Sequence, residues 1–381
     1  MQRRQFLLGS GALLLGSLLP LRATLAATRG EKRLLVIVLR GAMDGLAAVV
    51  PYSDPQYRSA RGNVAAIDDQ LVRLDGDFAM ASSLKPLADW YAAKELLFVH
   101  ATAWPTRTRS HFDAQDMLEN GGLQARALTT GWLSRALQTL PGSPTAVAIG
   151  PTVPLLLRGG GEVTSWAPSN LPEVDADFLA RMQLLYAPDA LLSNALDESQ
   201  MLKELTSGDG KTPDAKRFES LMQKMASFMG PQGVARIGSI DLGGWDTHVR
   251  QQPRLTNNFT ALAAGLTAFR SGMGDAWRDT AVLVVTEFGR TVKGNGTNGT
   301  DHGTGGVAFL LGGSVAGGRI VGDWPGLGKL YEERDLIPAN DTRALLKGVL
   351  NQQLGISEAR LSSQIFPGSE HVAGFNGLLH A

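Results

Sequence analysis

Two segments in the C-terminal half of the chain each carry a carboxylate and a histidine beyond an apolar run. Gly238–His248 reads GSIDLGGWDTH, and Val282–Gly306 reads VLVVTEFGRTVKGNGTNGTDHGTGG. Imidazole nitrogen and carboxylate oxygen are the usual protein ligands of a catalytic divalent ion, and strand ends hold such ligands rigidly. The two segments therefore predict one metal site. Its candidate ligands are Asp246, His248, Glu287, Asp301 and His302.

These ligands meet if both apolar runs belong to one parallel sheet, because open α/β sheets bind ligands at the carboxyl ends of their strands. The alternative is that Asp246 caps a turn, His248 starts a helix and residues 299–303 form a surface loop, since aspartate favours turns and caps. The residue types indicate a divalent metal ion. They are compatible with Zn, Mn, Ca or Mg and do not distinguish among these.

A further candidate ligand, Asp44, lies in a glycine-flanked turn after the apolar run at residues 34–39. Arg40, in the same turn, can bind an anionic ligand through two hydrogen bonds. The alternative is an Asp-Gly turn beside a solvated arginine.

The segment Thr106–Asp113, TRTRSHFD, joins an apolar run to a helical stretch. Helix N-termini attract anions, so Ser110 beside Arg109 can attack or bind a phosphate or sulfate ester. Ser110 also fits the pattern of a helix N-cap, because Asp113 follows it three residues later. This is the favoured interpretation. His111 is predicted to be either a metal ligand or an acid-base group.

Arg290 follows Glu287 by three residues as the chain leaves its strand. Its guanidinium can neutralise charge that develops on an anionic substrate. The alternative is a surface ion pair between these two residues, which would contribute little to stability.

Apolar, β-branched runs alternate with helical stretches along the chain. Leu34–Leu39 reads LLVIVL, the pattern of a strand buried on both faces. Further runs occur at residues 96–100, 145–149, 234–240, 281–286 and 307–311. The alternation predicts an α/β fold with a mostly parallel central sheet flanked by helices.

Residues 168–230 have apolar residues at helical spacing and few strand signals, which predicts a helical insertion beside the sheet. A late helix is predicted to begin after Asp341, as its N-cap, and to end at Gly355. Because no fixed-period repeat or low-complexity tract occurs, residues 27–381 are predicted to form a single domain.

Residues 1–26 resemble a bacterial twin-arginine export signal. Arg3 and Arg4 precede an apolar run, and small residues follow at Ala23–Ala26 as a plausible cleavage point. The run has about 14 residues, fewer than the roughly 20 that span a bilayer, with an uncleaved anchor as the alternative. We expect the twin-arginine translocon to export a protein that is periplasmic or secreted and has no stable membrane span in its mature form.

The 381-residue chain is 44% hydrophobic and 19% charged, as in ordinary globular proteins. Without the three arginines of residues 1–26 it has 33 basic and 36 acidic residues, a net charge near −3. This balance provides no global attraction for nucleic acid. Cysteine is absent, which excludes disulfides, thiolate metal sites and a cysteine nucleophile.

Several segments together resemble the bacterial family catalogued as domain of unknown function 1501. They are the leader, LRGAMDGLAAVVPY at 39–52, SHFDAQDMLENG at 110–121, GGWDTH at 243–248, TEFGRT at 286–291 and GTDHG at 299–303. That family looks like a distant branch of the alkaline phosphatase and sulfatase superfamily, whose members hydrolyse phosphate or sulfate esters with bound metals. The resemblance implies an alkaline-phosphatase-like fold.

Position by position, the resemblance implies that Asp44 is a ligand after the first strand and that the nucleophile lies near the helix starting at Ser110. Phe288 occupies the place where an Asp-His pair would supply a histidine. The resemblance also implies that the metal ligands are completed by Asp246, His248, Glu287, Asp301 and His302.

The expected function is an exported, metal-dependent hydrolase of a phosphate or sulfate ester or a related anionic conjugate. Its substrate would be a small anionic ester or a sulfated or phosphorylated glycan, with Arg40, Arg109 or Arg290 neutralising charge in the transition state. The alternative is a metal-stabilised, non-catalytic periplasmic binding or assembly protein on the same fold. Phe288 favours this alternative, and the arginines beside the candidate ligands favour the enzyme.

Overall fold

The computed structural model describes residues 31–66, 71–168 and 214–380, together with Met182, Leu185 and Tyr186. Its strands are β1 (Arg33–Leu39), β2 (Val49–Val50), β3 (Leu71–Arg73), β4 (Ala79–Ala81), β5 (Leu96–Ala103), β6 (Thr145–Ile149), β7 (Val163–Trp166), β8 (Ala235–Leu242), β9 (Thr280–Thr286), β10 (Gly306–Leu311), β11 (Arg319–Val321) and β12 (Asn340–Asp341). Its α-helices are α1 (Gly45–Ala48), α2 (Tyr57–Arg61), α3 (Ala88–Ala92), α4 (His111–Asn120), α5 (Trp132–Thr139), α6 (Asp214–Met229), α7 (Gln251–Met273), α8 (Thr342–Leu354) and α9 (Glu358–Arg360).

The central sheet has the strand order β11-β5-β10-β9-β1-β8-β6-β7, and β12 also pairs with β5. Strands β1, β6, β7, β8 and β9 pair in parallel, as do β11 and β12 with β5. Strand β10 runs antiparallel between β9 and β5. The predicted fold class, α/β with a mostly parallel central sheet flanked by helices, is confirmed. A second, antiparallel sheet of order β2-β4-β3 was not predicted.

The alternation of side chains along β1 divides the apolar core into two layers, because successive residues of a strand point to opposite faces. Leu35 and Ile37 belong to the layer that contains residues of α6 and α7. Leu34 and Val36 belong to the opposite layer, with residues of α5 and α8. Every residue of β1 is buried, as its continuous apolar run predicts.

The helix predicted after Asp341 is confirmed at both ends. The Asp341 carboxylate accepts a hydrogen bond from the Arg343 backbone N–H and so caps α8. Gly355 ends the helix with φ 70°, a left-handed conformation that glycine adopts without steric cost.

Only part of the segment 168–230 lies in the described residues, where α6 occupies Asp214–Met229. The predicted apolar face of that helix is buried, with Phe218, Met222 and Met225 at 2% exposure or less. The rest of the predicted insertion lies largely outside the described residues, and both the insertion and the single-domain organisation stay predictions. None of the helices that the structure describes has the length and apolar character to cross a bilayer.

The carboxyl ends of β1, β5, β8 and β9 lie at one edge of the sheet because these four strands run in the same direction. Strand β10 runs the opposite way, so its first residue, Gly306, starts at that edge. The four loops that carry the predicted metal ligands therefore meet at one edge: those after β1, β5 and β8, and the loop that joins β9 to β10.

Candidate metal centre

Three histidines and one aspartate form a compact group at this edge, and we call His111, Asp246, His248 and His302 the histidine cluster. The Nε2 atom of His302 lies 3.0 Å from Nε2 of His111 and 3.0 Å from Nε2 of His248. Asp246 Oδ1 lies 2.9 Å from His248 Nε2 and 3.2 Å from His302 Nε2. Asp246 Oδ2 lies 3.5 Å from His111 Nε2. Four side chains from three loops thus bring nitrogen and oxygen atoms close together, and those of His111, Asp246 and His302 all lie within 4.8 Å of one another.

The outer nitrogen of each histidine has its own hydrogen-bond acceptor. His111 Nδ1 lies 2.8 Å from Glu287 Oε1, and His248 Nδ1 lies 2.9 Å from Asp301 Oδ1. His302 Nδ1 lies 2.8 Å from the backbone carbonyl oxygen of Arg109. A carbonyl oxygen and a carboxylate accept hydrogen bonds, so each Nδ1 carries a proton, and a ring without a second proton presents a lone pair on Nε2.

This tautomer assignment has a consequence for the cluster, because lone pairs 3.0 Å apart repel one another. Hydrogen bonds from both neighbouring rings to His302 Nε2 require a second proton on His111 and another on His248. A divalent cation satisfies all of these groups together. Ligand atoms about 2.0–2.1 Å from a tetrahedral zinc lie roughly 3.3 Å apart, close to the observed spacings. The donor set therefore fits a divalent cation with histidines held by outer acceptors.

Arg290 holds the aspartate of the cluster in place. Its Nη1 donates to Asp246 Oδ1 at 2.6 Å, and its Nε donates to Thr300 Oγ1 at 3.2 Å. The side chain of Arg290 is fully buried, and its Nη2 also donates to the Thr300 carbonyl oxygen. Burial alone would raise the pKa of Asp246, but the hydrogen bond and charge of Arg290 outweigh it and lower that pKa. Asp246 is therefore ionised and oriented.

Glu287 lies behind His111 and is buried, at 3% exposure. Its Oε1 accepts hydrogen bonds from Gly41 N, Gln115 Nε2 and His111 Nδ1, each at 2.8 Å. Burial would raise the pKa of this carboxyl, yet the bonds from His111 and Gln115 lower it. The structure thus places Glu287 as the acceptor that orients a histidine.

Asp301 has the same relation to His248 and also accepts a hydrogen bond from Asn295 Nδ2 at 3.2 Å. The hydrogen bond from His248 is the main cause of its lowered pKa. Two of the residues predicted as metal ligands, Glu287 and Asp301, therefore contact the outer nitrogens of the rings. His111, predicted as ligand or acid-base group, lies among the inner atoms.

Asp44 is not part of the histidine cluster. Its Oδ2 accepts hydrogen bonds from Arg61 Nη2 at 2.7 Å and Gln251 Nε2 at 2.8 Å. Its Oδ1 accepts from the backbone N–H groups of Leu46 and Ala47 and caps α1. All of these contacts are internal to the protein, so the structure supports the capped turn of the sequence alternatives. We leave Asp44 out of the ligand set.

The other two predicted arginines are also engaged by acidic side chains. Arg40 donates to Asp241 Oδ2 at 2.6 Å and to Glu119 Oε1 at 2.8 Å. Arg109 donates to Asp335 Oδ2 at 2.6 Å, and its guanidinium also pairs with Glu332. Arg109 contributes to the cluster through its backbone carbonyl, which holds His302.

Ser110 is the N-cap of α4, and its Oγ accepts a hydrogen bond from Asp113 N at 3.4 Å. This is the favoured interpretation from the sequence. Phe288 forms a wall of the cluster instead of supplying a ligand. Its ring stacks on His111 with centroids 4.9 Å apart and lies 5.2 Å from the ring of His302.

Sequence reasoning missed the residue that links the ligand-bearing loops, Gln251. This first residue of α7 is 2% exposed. Besides donating to Asp44, its Oε1 accepts hydrogen bonds from Thr247 Oγ1 at 2.9 Å and Thr300 Oγ1 at 2.6 Å. Thr247 lies between two cluster residues, and Thr300 receives the hydrogen bond from Arg290. A glutamine at the start of an amphipathic helix gives no signal of such a role.

A family model described as "Protein of unknown function (DUF1501)" matches residues 31–365. No curated protein matches the chain. Among solved structures, the chain is similar to a protein in the alkaline phosphatase superfamily from Vibrio parahaemolyticus, with 10% sequence identity and a TM-score of 0.39. That match covers 75% of this chain and 62% of the Vibrio chain, so this protein spans less than two thirds of its length.

Two further solved structures are similar at comparable levels. The C-terminal periplasmic domain of EcEptC from Escherichia coli, in complex with Zn, is 9% identical with a TM-score of 0.36, and the match covers 74% of this chain and 73% of that one. BT1596, a 2-O GAG sulfatase, is 9% identical with a TM-score of 0.45, and the match covers 92% of this chain and 76% of that one. Because the family model extends from just before β1 to the end of the turn after α9, and contains every residue of the histidine cluster, the protein belongs to the DUF1501 family.

Proposed function

We infer that the histidine cluster binds a divalent cation and that the protein is an exported, metal-dependent hydrolase of a phosphate or sulfate ester or a related anionic conjugate. The observation that carries this proposal is the convergence of three Nε2 lone pairs and one ionised carboxylate, each histidine being held by an acceptor on its outer nitrogen. A divalent cation at the centre of this set would satisfy all of these groups at once.

His111, Asp246, His248 and His302 would hold the cation. A divalent cation there supplies a Lewis acid that polarises an ester oxygen and makes water more acidic. The acidic groups of Glu287 and Asp301 would keep the rings in the ligating tautomer, since their lowered pKa values leave them ionised at neutral pH.

The surroundings of the cluster determine which other groups can take part in the reaction. No hydroxyl group of the described residues hydrogen-bonds to the inner nitrogens, and Ser110 is occupied as a helix cap. The proposal therefore assigns the attack on the ester to water. Phe288, stacked on His111, excludes solvent from one side of the rings.

One observation favours the second candidate, a metal-stabilised binding or assembly protein without turnover. Arg40, Arg109 and Arg290 each donate to at least one carboxylate, so none of the three predicted arginines is available to neutralise an anionic transition state. Removing a guanidinium from such a pair would itself leave a carboxylate uncompensated. The two candidates share the metal and differ in catalysis.

The deciding experiment measures metal content and ester hydrolysis on the same preparations. We expect the purified protein to contain a divalent metal by plasma mass spectrometry, and His248→Ala and His302→Ala each to lose most of it and to unfold at lower temperature. Ligand loss removes binding free energy that is also folding free energy. His380→Ala, which changes an exposed histidine near the C-terminus, is the control.

Each outcome bears on one part of the proposal. Equal metal stoichiometry in all three variants would remove the histidine cluster as the site. A parent protein that holds the metal and hydrolyses none of a panel of phosphate and sulfate esters would leave the binding or assembly protein as the function. Export rests on the sequence of residues 1–26, and its test replaces Arg3 and Arg4.

A further inference from the structure

A cavity of about 920 Å³ opens beside the loop that carries Asp246. Helices α6 and α7 form its sides, and the end of β8 with Gly243 and Gly244 forms its floor. Two residues of chain span at most about 7 Å, so the floor at Gly244 lies within that distance of Asp246, measured between Cα atoms. The cavity and the histidine cluster are therefore neighbours along one loop.

The charge of the cavity is positive. Arg217 on α6 and Arg254 on α7 line it, are exposed, and have no hydrogen-bond or ion-pair partner among the described residues. Among the described lining residues the one carboxylate is Asp241, which pairs with Arg40 at 2.6 Å, and Arg40 also pairs with Glu119. Two guanidinium groups from neighbouring helices, with no partner among the described residues, favour an anionic ligand that reaches both.

The remaining lining groups indicate a polyhydroxylated ligand. The amide of Asn257 is exposed, and Asn258 Nδ2 donates to the Gly244 carbonyl oxygen at 2.8 Å, which fixes the floor to α7. The aromatic residue of the described lining is Phe218, which is 2% exposed and offers no face for stacking a nucleobase. The volume is at the upper end for small-molecule sites and exceeds what one phosphate or sulfate needs.

The floor is open because it lacks side chains. A Cβ built on Gly243 meets nothing within 4 Å, and the φ of this residue is not in the left-handed range. The position therefore has room for a Cβ, and because Gly243 lines the cavity, a larger side chain there would reduce the space at the floor.

We propose that this cavity binds the body of the substrate and that the substrate is an anionic oligosaccharide carrying at least two sulfate or phosphate groups. One charged group contacts Arg217 and Arg254 while an ester group of the same chain lies at the histidine cluster. This assignment of substrate class rests on the proposed function, but the binding of the oligosaccharide at the cavity does not require the metal.

The test measures the Kd of a sulfated maltohexaose for the purified protein by titration calorimetry at fixed ionic strength. Arg217→Gln combined with Arg254→Gln should weaken binding by about tenfold or more, since each variant removes a charge-assisted hydrogen bond. Gly243→Leu should also raise Kd, because its side chain reduces the space at the floor of the cavity. Arg278→Gln, which changes an exposed arginine on another element, is the matched control and should leave Kd unchanged.

Three results would overturn the proposal. These are an equal Kd in the parent and both cavity variants, equal affinity for unsulfated maltohexaose, and equal affinity for inorganic sulfate alone. A phosphorylated maltohexaose in a parallel titration identifies which anion is preferred, and binding of neither charged probe also refutes the cavity site.

The metal measurements keep this proposal separate from the proposed function. Cavity variants that retain the parent's metal content but bind the probe weakly support the cavity site. If His248→Ala shows that the cluster holds no metal, yet the probe still binds and still depends on Arg217 and Arg254, the hydrolase proposal fails and the oligosaccharide site stands.

Discussion

Replacing Gln251 by methionine tests whether one buried amide holds the metal centre together. The side chains are similar in length, so the change removes hydrogen bonds with little change in volume. Gln251 donates to the Asp44 carboxylate, the ion-pair partner of Arg61, at 2.8 Å and accepts hydrogen bonds from Thr247 and Thr300. Both threonines are fully buried, and Asp44 is 1% exposed, so water cannot replace the lost partners.

The expected cost follows from these three bonds. A hydrogen bond to a charged group contributes about 1.5–3 kcal/mol and a neutral one about 1 kcal/mol, so Gln251→Met should lower the free energy of unfolding by about 4 kcal/mol. Asp44 keeps Arg61 and two backbone donors, which prevents a larger loss. Since Thr247 lies between two cluster residues and Thr300 precedes Asp301, which holds His248, metal affinity should also fall by about tenfold, as when outer partners of metal ligands are removed.

The assays are urea unfolding of the metal-free protein and competition for zinc against a chelator. Gln252→Met is the matched control, because it makes the same chemical change at the next, exposed position of α7. If the two variants unfold within 0.5 kcal/mol of each other (about the scatter of surface substitutions) and bind zinc equally, the inference that Gln251 positions the cluster is wrong.

Further predictions concern the helix cap, a buried histidine and export. Ser110→Ala should cost about 1 kcal/mol of stability, Ser110→Asp should restore it, and both should retain hydrolysis if water is the attacking group; an inactive but stable Asp variant would make Ser110 the nucleophile. Burial lowers the pKa of His100 to about 4. Because an unfolded histidine takes up its proton near pH 6.5, stability should fall by about 3 kcal/mol as the pH drops from 6.5 to 4, and urea unfolding of His100→Gln should lack this component. Arg3→Lys with Arg4→Lys should leave the precursor in the cytoplasm by cell fractionation; normal accumulation outside it would argue against twin-arginine export.

The sequence predicted the fold class because its strongest signal, the apolar β-branched run, is local. All six predicted strands are present, and residues 34–39 fall within β1, which is buried on both faces. The small sheet of β2, β3 and β4 was missed because β2 has only two residues and β3 and β4 three each. A run that short has no measurable alternation.

The residue types of the candidate metal centre could be predicted from the sequence, but their arrangement could not. Aspartate and histidine beyond strand ends pointed to Asp246, His248 and His302, which the structure places in the histidine cluster. Which side chains point inward as ligands, and which lie behind them, depends on side-chain rotamers and loop conformations. The spacing of residues in the sequence does not determine either. Glu287 was therefore grouped with the ligands although it holds a ring from behind, and His111 was left between two roles.

Asp44 shows a second reason why the role of a residue cannot be predicted from the sequence alone. In the sequence it is an aspartate after a strand, like any ligand at the edge of the sheet. Its partner Arg61 is 17 residues away and buried, and nothing in the sequence distinguishes this arginine from a solvated one.

The reversed direction of β10 has a consequence for the order of folding. Because the segment before this strand supplies His302, the cluster joins residues 191 positions apart, from the start of α4 to the start of β10. A chain still emerging from the ribosome lacks the last donor until most of the sheet has been synthesised. Closing so long a loop is entropically costly until the strands between have paired. High metal affinity would therefore indicate that the sheet has formed completely. A nascent or truncated chain that ends before residue 302 should bind the ion weakly.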